Sequence, residues 1–139
     1  MAGIITLDLG NGAYTYFNGT PHAINLMVGA TYDKDTRKHY DGSQVAAIPA
    51  SGVMLSAKLE TRPQVDLGMG ITVAEQVVVD CDPLPECAKN ADYIIVSAMY
   101  ACAYRKKHGQ DGVKLVTVRE TVMSSETGKI IGCLGLALA

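Results

Sequence analysis

The chain of 139 residues lacks tryptophan, has a single phenylalanine and carries little charge. Charged residues make up 19% of it, below the roughly 25% usual for soluble domains, whereas apolar residues make up 48%. The net charge is −2, and the one dense basic run is 105–108. Nucleic-acid binding normally needs a broader basic face with interleaved aromatic residues. We therefore expect no nucleic acid among the partners.

Long hydrophobic runs are also missing. No run reaches the ~18 apolar residues of a membrane span, although the mean hydropathy is +0.14. The first ten residues, MAGIITLDLG, have no basic residue and alternate as a strand does, which is not the pattern of a signal peptide. The sequence predicts a cytoplasmic protein without a membrane partner, or one assembled into a particle formed in the cytoplasm.

Metal-ligand spacings are absent as well. No CxxC pair occurs, and the histidines are not spaced as ligands. We expect reduced, buried thiols, and neither a metal nor a cofactor. The residues concerned are Cys81, Cys87, Cys102, Cys133, His22, His39 and His108.

Alternating apolar residues predict several strands in a single domain over 1–139. Pro63 is expected to interrupt pairing. The charged stretch 32–42 reads as a solvated connection or a protruding arm. The predicted strands are 3–9, 13–17, 23–31, 44–48, 53–60 and 71–80.

A long helix is predicted over about 83–108. Asp82 is a favourable N-cap residue, and Pro83 is tolerated in the first turn. The last turn is basic, and Gly109 is expected to end the helix. Its middle, 93–104, has no charge, so it should be buried on more than one side, with one side against another subunit.

The end of the chain reads as a β-hairpin over 113–138, with Leu134, Leu136 and Leu138 on one face of its last strand. The fold class that follows is α+β: a mainly antiparallel sheet or sandwich packed on one long helix, about 83–108, and closed by this hairpin.

The stretch Asp8-Leu9-Gly10-Asn11-Gly12 resembles the first phosphate loop of actin-like kinases and ATPases. That resemblance implies an Asp that positions a metal and glycines that approach phosphate. Those folds need a second domain and a second acidic loop. Asn-Gly also suits both central positions of a type I′ turn, and both flanks read as strands. We favour the hairpin, with 4–9 and 13–17 paired across Asn11-Gly12.

If the protein is an enzyme, the candidate catalytic residues are His22, Asp80 and Cys81. A helix N-terminus lowers a thiol pKa and attracts anions, so Cys81 would be a nucleophile or anion-site residue. His22 would be the general base and Asp80 the orienting carboxylate. Flanking carboxylates oppose thiolate formation, which favours a structural role.

Tyr93, Ser97, Tyr100 and Tyr104 would share one stripe of the predicted helix. Four hydroxyls in a row could line a ligand pocket. A semi-polar subunit interface is favoured, because tyrosine offers a large apolar area and one hydrogen bond.

Two functions follow from these patterns. The first is a homo-oligomeric structural subunit of a ring, tube or shell, with a phage or virus particle as the most concrete example. Its partners would be copies of itself and other particle subunits. The alternative is a small cytosolic oligomeric enzyme or small-molecule-binding protein with its site at a subunit interface.

Overall fold

The structure, a computed structural model, describes residues 3–139. About 53% of the chain is strand and 12% is helical, and the main sheet curls into a nearly closed barrel. The predicted fold class, a sheet packed on one long helix, is therefore wrong. The strands are β1 Ile4–Asp8, β2 Ala13–Asn18, β3 Ile24–Val28, β4 Thr31–Asp33, β5 Lys38–Tyr40, β6 Ser43–Ile48, β7 Ala57–Gly68, β8 Ile71–Cys81, β9 Tyr93–Ile95, β10 Leu115–Met123 and β11 Ile130–Leu138.

The main sheet has the strand order β1-β2-β9-β10-β11-β3-β6, and β5 joins β10 while also pairing with β4. The charged stretch 32–42 thus forms part of a small hairpin docked on the sheet, rather than an arm. The end of β6 returns to the end of β2, where the Asn18 side-chain amide donates to the Ile48 carbonyl (3.1 Å). The Ser51 N–H donates to the Asn18 carbonyl nearby (3.0 Å), which draws the two ends of the sheet together.

Both predicted terminal hairpins are present. Strands β1 and β2 pair antiparallel from Ile4↔Phe17 to Asp8↔Ala13, which confirms the hairpin reading of the glycine-rich stretch. The connection has four residues rather than a two-residue turn at Asn11-Gly12, with positive φ at Gly10 and Gly12. Asp8 accepts the Gly10 N–H (2.8 Å), so its carboxylate holds the turn. Strands β10 and β11 pair antiparallel within 113–138.

The predicted long helix is wrong over its first fifteen residues. Helix α1 spans Ala98–His108, capped by the Ser97 hydroxyl, which accepts the Tyr100 N–H (3.1 Å). Its predicted end is correct, since Gly109 follows with φ 67°. A short 3₁₀ helix, Glu86–Asn90, and β9 occupy the rest.

Two causes explain the shorter helix. The Pro83-Leu84-Pro85 run holds the backbone extended, with ψ 144° at Pro85. The β-branched run that follows finds strand partners on both sides, because β9 pairs in parallel with β2 and with β10. Asp82 caps no helix: its carboxylate accepts the Ser56 N–H, and its own N–H donates to the Ser56 carbonyl (both 2.9 Å).

Strands β7 and β8 form a separate two-stranded sheet, which we call the arm, Ala57–Cys81. Strand β7 begins later than predicted and runs through Pro63, where the register shifts between Pro63 and Val65. Within residues 3–139, the arm packs on the body only at its base. There Cys81 is buried, and Ala57 and Val78 pack against the core beside α1.

The two faces of the main sheet bury different cores. On the α1 side, Phe17, Ile94, Val96 and Leu115 belong to the same core as the buried tyrosines of the helix. The alternate residues of β9 and β10 face the barrel interior, as do side chains of β1, β3 and β6. Ile95 and Ile48 are fully buried there. Helix α1 and the arm base therefore lie on one face of the sheet, and the barrel interior lies on the other.

Candidate functional site

The structure separates His22 from Asp80 and Cys81. His22 lines a cavity of about 350 Å³ between β3 and the β10–β11 hairpin. Its carbonyl accepts hydrogen bonds from the side chains of Asn18 (2.8 Å) and Thr20 (3.0 Å). Asp80 lines a different cavity, beside Lys107 on the arm side of α1. The three candidate catalytic residues therefore do not form one site.

Asp80 and Lys107 fasten the base of the arm to α1. The Lys107 ammonium donates to the Asp80 carboxylate at 2.8 Å, and the Cys81 N–H donates to the same oxygen at 2.8 Å. The hydrogen bond from Lys107, followed by the one from the Cys81 backbone, holds the pKa of Asp80 below its ordinary value. The Asp80 carboxylate therefore has a positioning role: it holds the base of the arm against α1.

Cys81 is a buried core residue. Burial raises the pKa of its thiol, the nearby Asp80 and Asp82 add to that increase, and Lys107 opposes it. Because α1 begins at Ala98, Cys81 does not directly precede the helix N-terminus as the sequence predicted. A thiol that is less ionised at neutral pH is a poor nucleophile, so this environment favours the structural role. Cys133 is also buried, Cys87 is half-buried and Cys102 is exposed, and all four thiols are free.

The predicted tyrosine stripe is divided between the two faces of the sheet. Tyr93 lies on β9 and faces the barrel interior, where its ring stacks on that of Tyr16 at a centroid distance of 5.9 Å. Tyr100 and Tyr104 lie on α1 and are buried in the other core. Ser97 caps the helix. The helical spacing that put the four hydroxyls together does not apply, because residue 93 is not in the helix.

Tyr100 and Tyr104 bond within the chain. The Tyr100 hydroxyl donates to the Asp82 carbonyl (2.7 Å), next to the arm base, and burial raises its pKa. The Tyr104 hydroxyl donates to the Asp111 carboxylate, and burial followed by this hydrogen bond raises its pKa to about 12. Both hydroxyls are therefore protonated at neutral pH and stabilise the fold.

Sequence reasoning missed the structural importance of Asn18. Its side chain is fully buried, and its amide donates to the carbonyls of His22 and Ile48 (2.8 and 3.1 Å). Its oxygen accepts from the N–H and hydroxyl of Thr20 (3.0 and 2.6 Å). This network joins the end of β2 to the end of β6. The only signal in the sequence was a polar residue ending an apolar strand, which does not predict burial.

An apolar cavity of about 390 Å³ opens at one end of the barrel interior. Its walls carry no charged side chain, and its polar side-chain groups are the hydroxyls of Tyr16 and Tyr93. Burial, then proximity to Tyr93 and Asp92, raises the pKa of Tyr16, so that hydroxyl stays neutral. Such a cavity suits an apolar occupant and offers no acid–base chemistry. The residues that line it are Leu9, Tyr16, Leu26, Met27, Val28, Val45, Tyr93, Val116, Leu134, Gly135, Leu136 and Leu138.

The arm presents the second unusual surface. Every residue from 58 to 76 is exposed, on both faces of the two-stranded sheet. Large apolar side chains are spread along it and concentrate at its tip, where Met69 is fully exposed. The exposed apolar side chains of the arm are Leu59, Val65, Leu67, Met69, Ile71, Val73 and Val79.

Within residues 3–139, no three His, Cys, Asp or Glu side chains are placed to hold a metal ion. The one α-helix of the same residues is too short to cross a bilayer. Comparisons of the chain with protein-family models, with curated proteins and with solved structures gave no match.

Proposed function

We propose that the protein is a structural subunit that associates with copies of itself through the arm, as part of a ring, tube or shell. A phage or virus particle assembled in the cytoplasm is the most concrete setting. The observation that carries this proposal is the arm itself: a 12-residue and an 11-residue strand that extend from the body with both faces exposed.

The energetics of a free two-stranded sheet support a partner. An isolated hairpin of two strands is marginally stable in water, and its outer edges offer unpaired N–H and C=O groups. Covering one large apolar side chain contributes roughly 1.5–3 kcal/mol. A contact that covers several of the seven on the arm can offset the ~4–15 kcal/mol that association costs.

The base of the arm is fixed, which favours a built contact element over a loose loop. Cys81 is buried in the core, Asp80 bonds to Lys107, and Asp82 makes two bonds with Ser56. A strand pair whose direction is already set loses less entropy when it docks.

The alternative of a small enzyme has less support. Its candidate residues His22 and Asp80 line different cavities, and the environment of Cys81 disfavours the thiolate. The apolar 93–104 segment buries its strand and one side of α1 within the chain, while Met99 and Cys102 are exposed on the other side of the helix. That exposed apolar surface is much smaller than the one on the arm. The arm is therefore the surface that supports self-association.

The solution mass tests this proposal. Glu60 and Val77 are cross-strand partners, so replacing residues 61–76 by Asn-Gly shortens the arm without changing its base. We expect the intact chain to be larger than a monomer by multi-angle light scattering, and the short-arm chain to be monomeric. A Met54→Ser variant, exposed but outside the arm, should behave as the intact chain. An intact chain that stays monomeric at its highest soluble concentration would overturn the proposal.

A further inference from the structure

We propose that the arm tip of one copy inserts into the apolar barrel cavity of the next copy, in a head-to-tail contact. This inference rests on the proposed function, since it names the surface that receives the arm. It joins two apolar surfaces that no other part of residues 3–139 covers: the exposed tip of the arm and the open cavity.

The turn at the tip of the arm exposes a methionine, Met69. Gly68 pairs with Ile71 across the turn, and Met69 occupies a left-handed conformation with φ 55°. Glycine or asparagine normally takes such a position, because a longer side chain costs free energy there. At this turn Met69 is fully exposed between Leu67 and Ile71, which are 64% and 61% exposed. Methionine is flexible and polarizable, and fills irregular apolar spaces well.

The cavity matches this tip in chemistry. Its volume is about 390 Å³ and none of its lining side chains is charged. Four apolar side chains at its opening, Leu9, Val28, Val45 and Leu138, are half or more exposed. Between Pro63 and Ala74 the arm carries one charge, Asp66. Lys114 lies over the ring of the cavity residue Tyr93, 5.7 Å from its centroid, where it would complement that carboxylate.

Topology shows why the occupant is a second copy. The base of the arm packs beside α1, on the face of the sheet that carries Phe17, Ile94 and Leu115. The cavity is on the opposite face, with Tyr16, Tyr93 and Val116. The chain's own arm does not fill this cavity, since Met69 at the tip is fully exposed and the lining residues include none of the arm. Two different patches in contact make a heterologous interface, which gives rings if it closes and tubes or filaments if it does not.

Mixing two defective variants tests this arrangement. The tip variant carries Leu67→Asp and Met69→Asp, and the cavity variant carries Val45→Asp and Leu138→Asp, all at exposed positions. Each variant alone should be monomeric. Their equimolar mixture should form a complex of twice the monomer mass, because the intact arm of the cavity variant meets the intact cavity of the tip variant. Leu9→Asp in the β1–β2 turn is a second cavity variant, should the first fail to fold.

The outcomes separate this inference from the proposal beneath it. If cavity variants assemble as the intact chain while the tip variant stays monomeric, the arm docks elsewhere, and this inference fails while the proposed function stands. A mixture that stays monomeric also overturns it. If the intact chain is monomeric, both fail. As a control, Met54→Asp with Met99→Asp, exposed and outside both surfaces, should assemble as the intact chain.

The dye ANS tests the remaining occupant, a small apolar molecule. We expect the monomeric tip variant to bind ANS in its open cavity and the assembled intact chain to exclude it. Equal ANS binding per chain in both would show that the cavity stays open in the assembly, and would overturn the inference.

Discussion

The C-terminal hairpin β10–β11 and the arm β7–β8 are both long antiparallel strand pairs with opposite environments. Strand β10 lies between β9 and β11, and buries Leu115, Val116 and Val122. The arm strands, within the described residues, pair only with each other and are exposed from 58 to 76.

The two hairpins also differ in how charged residues are distributed along their strands. The nine residues of β11 contain no charge, so both faces of that strand can be covered. The arm strands intersperse six charged residues among their apolar ones: Lys58, Glu60, Arg62, Asp66, Glu75 and Asp80. Charges interspersed along both strands keep the arm out of the monomer's own core, and the apolar residues between them leave it suited to a partner.

Amide hydrogen exchange should show the largest difference between the two hairpins. In dilute, monomeric protein, we expect arm amides to exchange by local opening, and β10–β11 amides to exchange only on global unfolding. Since global stability is roughly 5–15 kcal/mol, the rates should differ by at least about a thousandfold. Arm peptides as protected as β11 peptides would show that the arm is part of the cooperative core.

Two matched isoleucine truncations should separate the regions by stability. Ile95 is fully buried in the barrel, so Ile95→Ala should lower the free energy of unfolding by about 2–5 kcal/mol. Ile71 is 61% exposed at the arm tip, so Ile71→Ala should change it by no more than about 0.5 kcal/mol. Urea unfolding of both variants in dilute, monomeric protein measures these two changes in the free energy of unfolding. Equal losses would mean that the tip is buried in the monomer.

A pair of asparagines extends the comparison to polar groups. Asn18→Ala removes one donor from the Ile48 carbonyl and one from the His22 carbonyl, which keeps the Thr20 hydroxyl, and it removes the acceptor of the Thr20 N–H. We expect a loss of roughly 1–3 kcal/mol for each of these groups that stays buried and unsatisfied. Asn11→Ala, in the exposed β1–β2 turn, is the control and should cost well under half as much. A similar small loss at both sites would show that water replaces the Asn18 bonds.

The sequence predicted the elements whose signals are local. The Asp8–Ala13 hairpin, the 113–138 hairpin and the helix end at Gly109 each depend on a turn, a cap or an alternation that neighbouring residues set. The residue at which the helix starts is set by strands that are distant in the sequence. Tyr93–Ile95 became strand because β2 and β10 offered partners, and no local pattern reports that.

The candidate site was less predictable for the same reason. The tyrosine stripe assumed one continuous helix, so a single wrong boundary placed Tyr93 with Tyr100, although the two face opposite cores. The exposed arm was read as two ordinary strands, since alternation does not tell whether a strand pair joins the main sheet. Its separation is a property of the whole topology.

The smallest effect should come from the ion pair that fastens the arm. Lys107 lowers the pKa of Asp80 in the folded chain, so this pair stabilises the fold above the ordinary Asp pKa of 3.8 and loses that contribution as pH falls through the lowered value. Asp80→Asn should therefore reduce stability at neutral pH slightly and leave it unchanged in strong acid, where wild-type Asp80 is protonated too. Both side chains are about half exposed, which keeps the effect small.

Urea unfolding of wild type and Asp80→Asn across the acid range measures this difference. Lys107→Met is the matched control, because it removes the same pair from the other side and should give the same neutral-pH loss. If the pair directs the arm, both variants should also weaken assembly more than they weaken the monomer fold, since a less fixed base makes the arm costlier to dock. A difference from wild type that persists unchanged into strong acid would mean that the Asp80 carboxylate does not act through its charge.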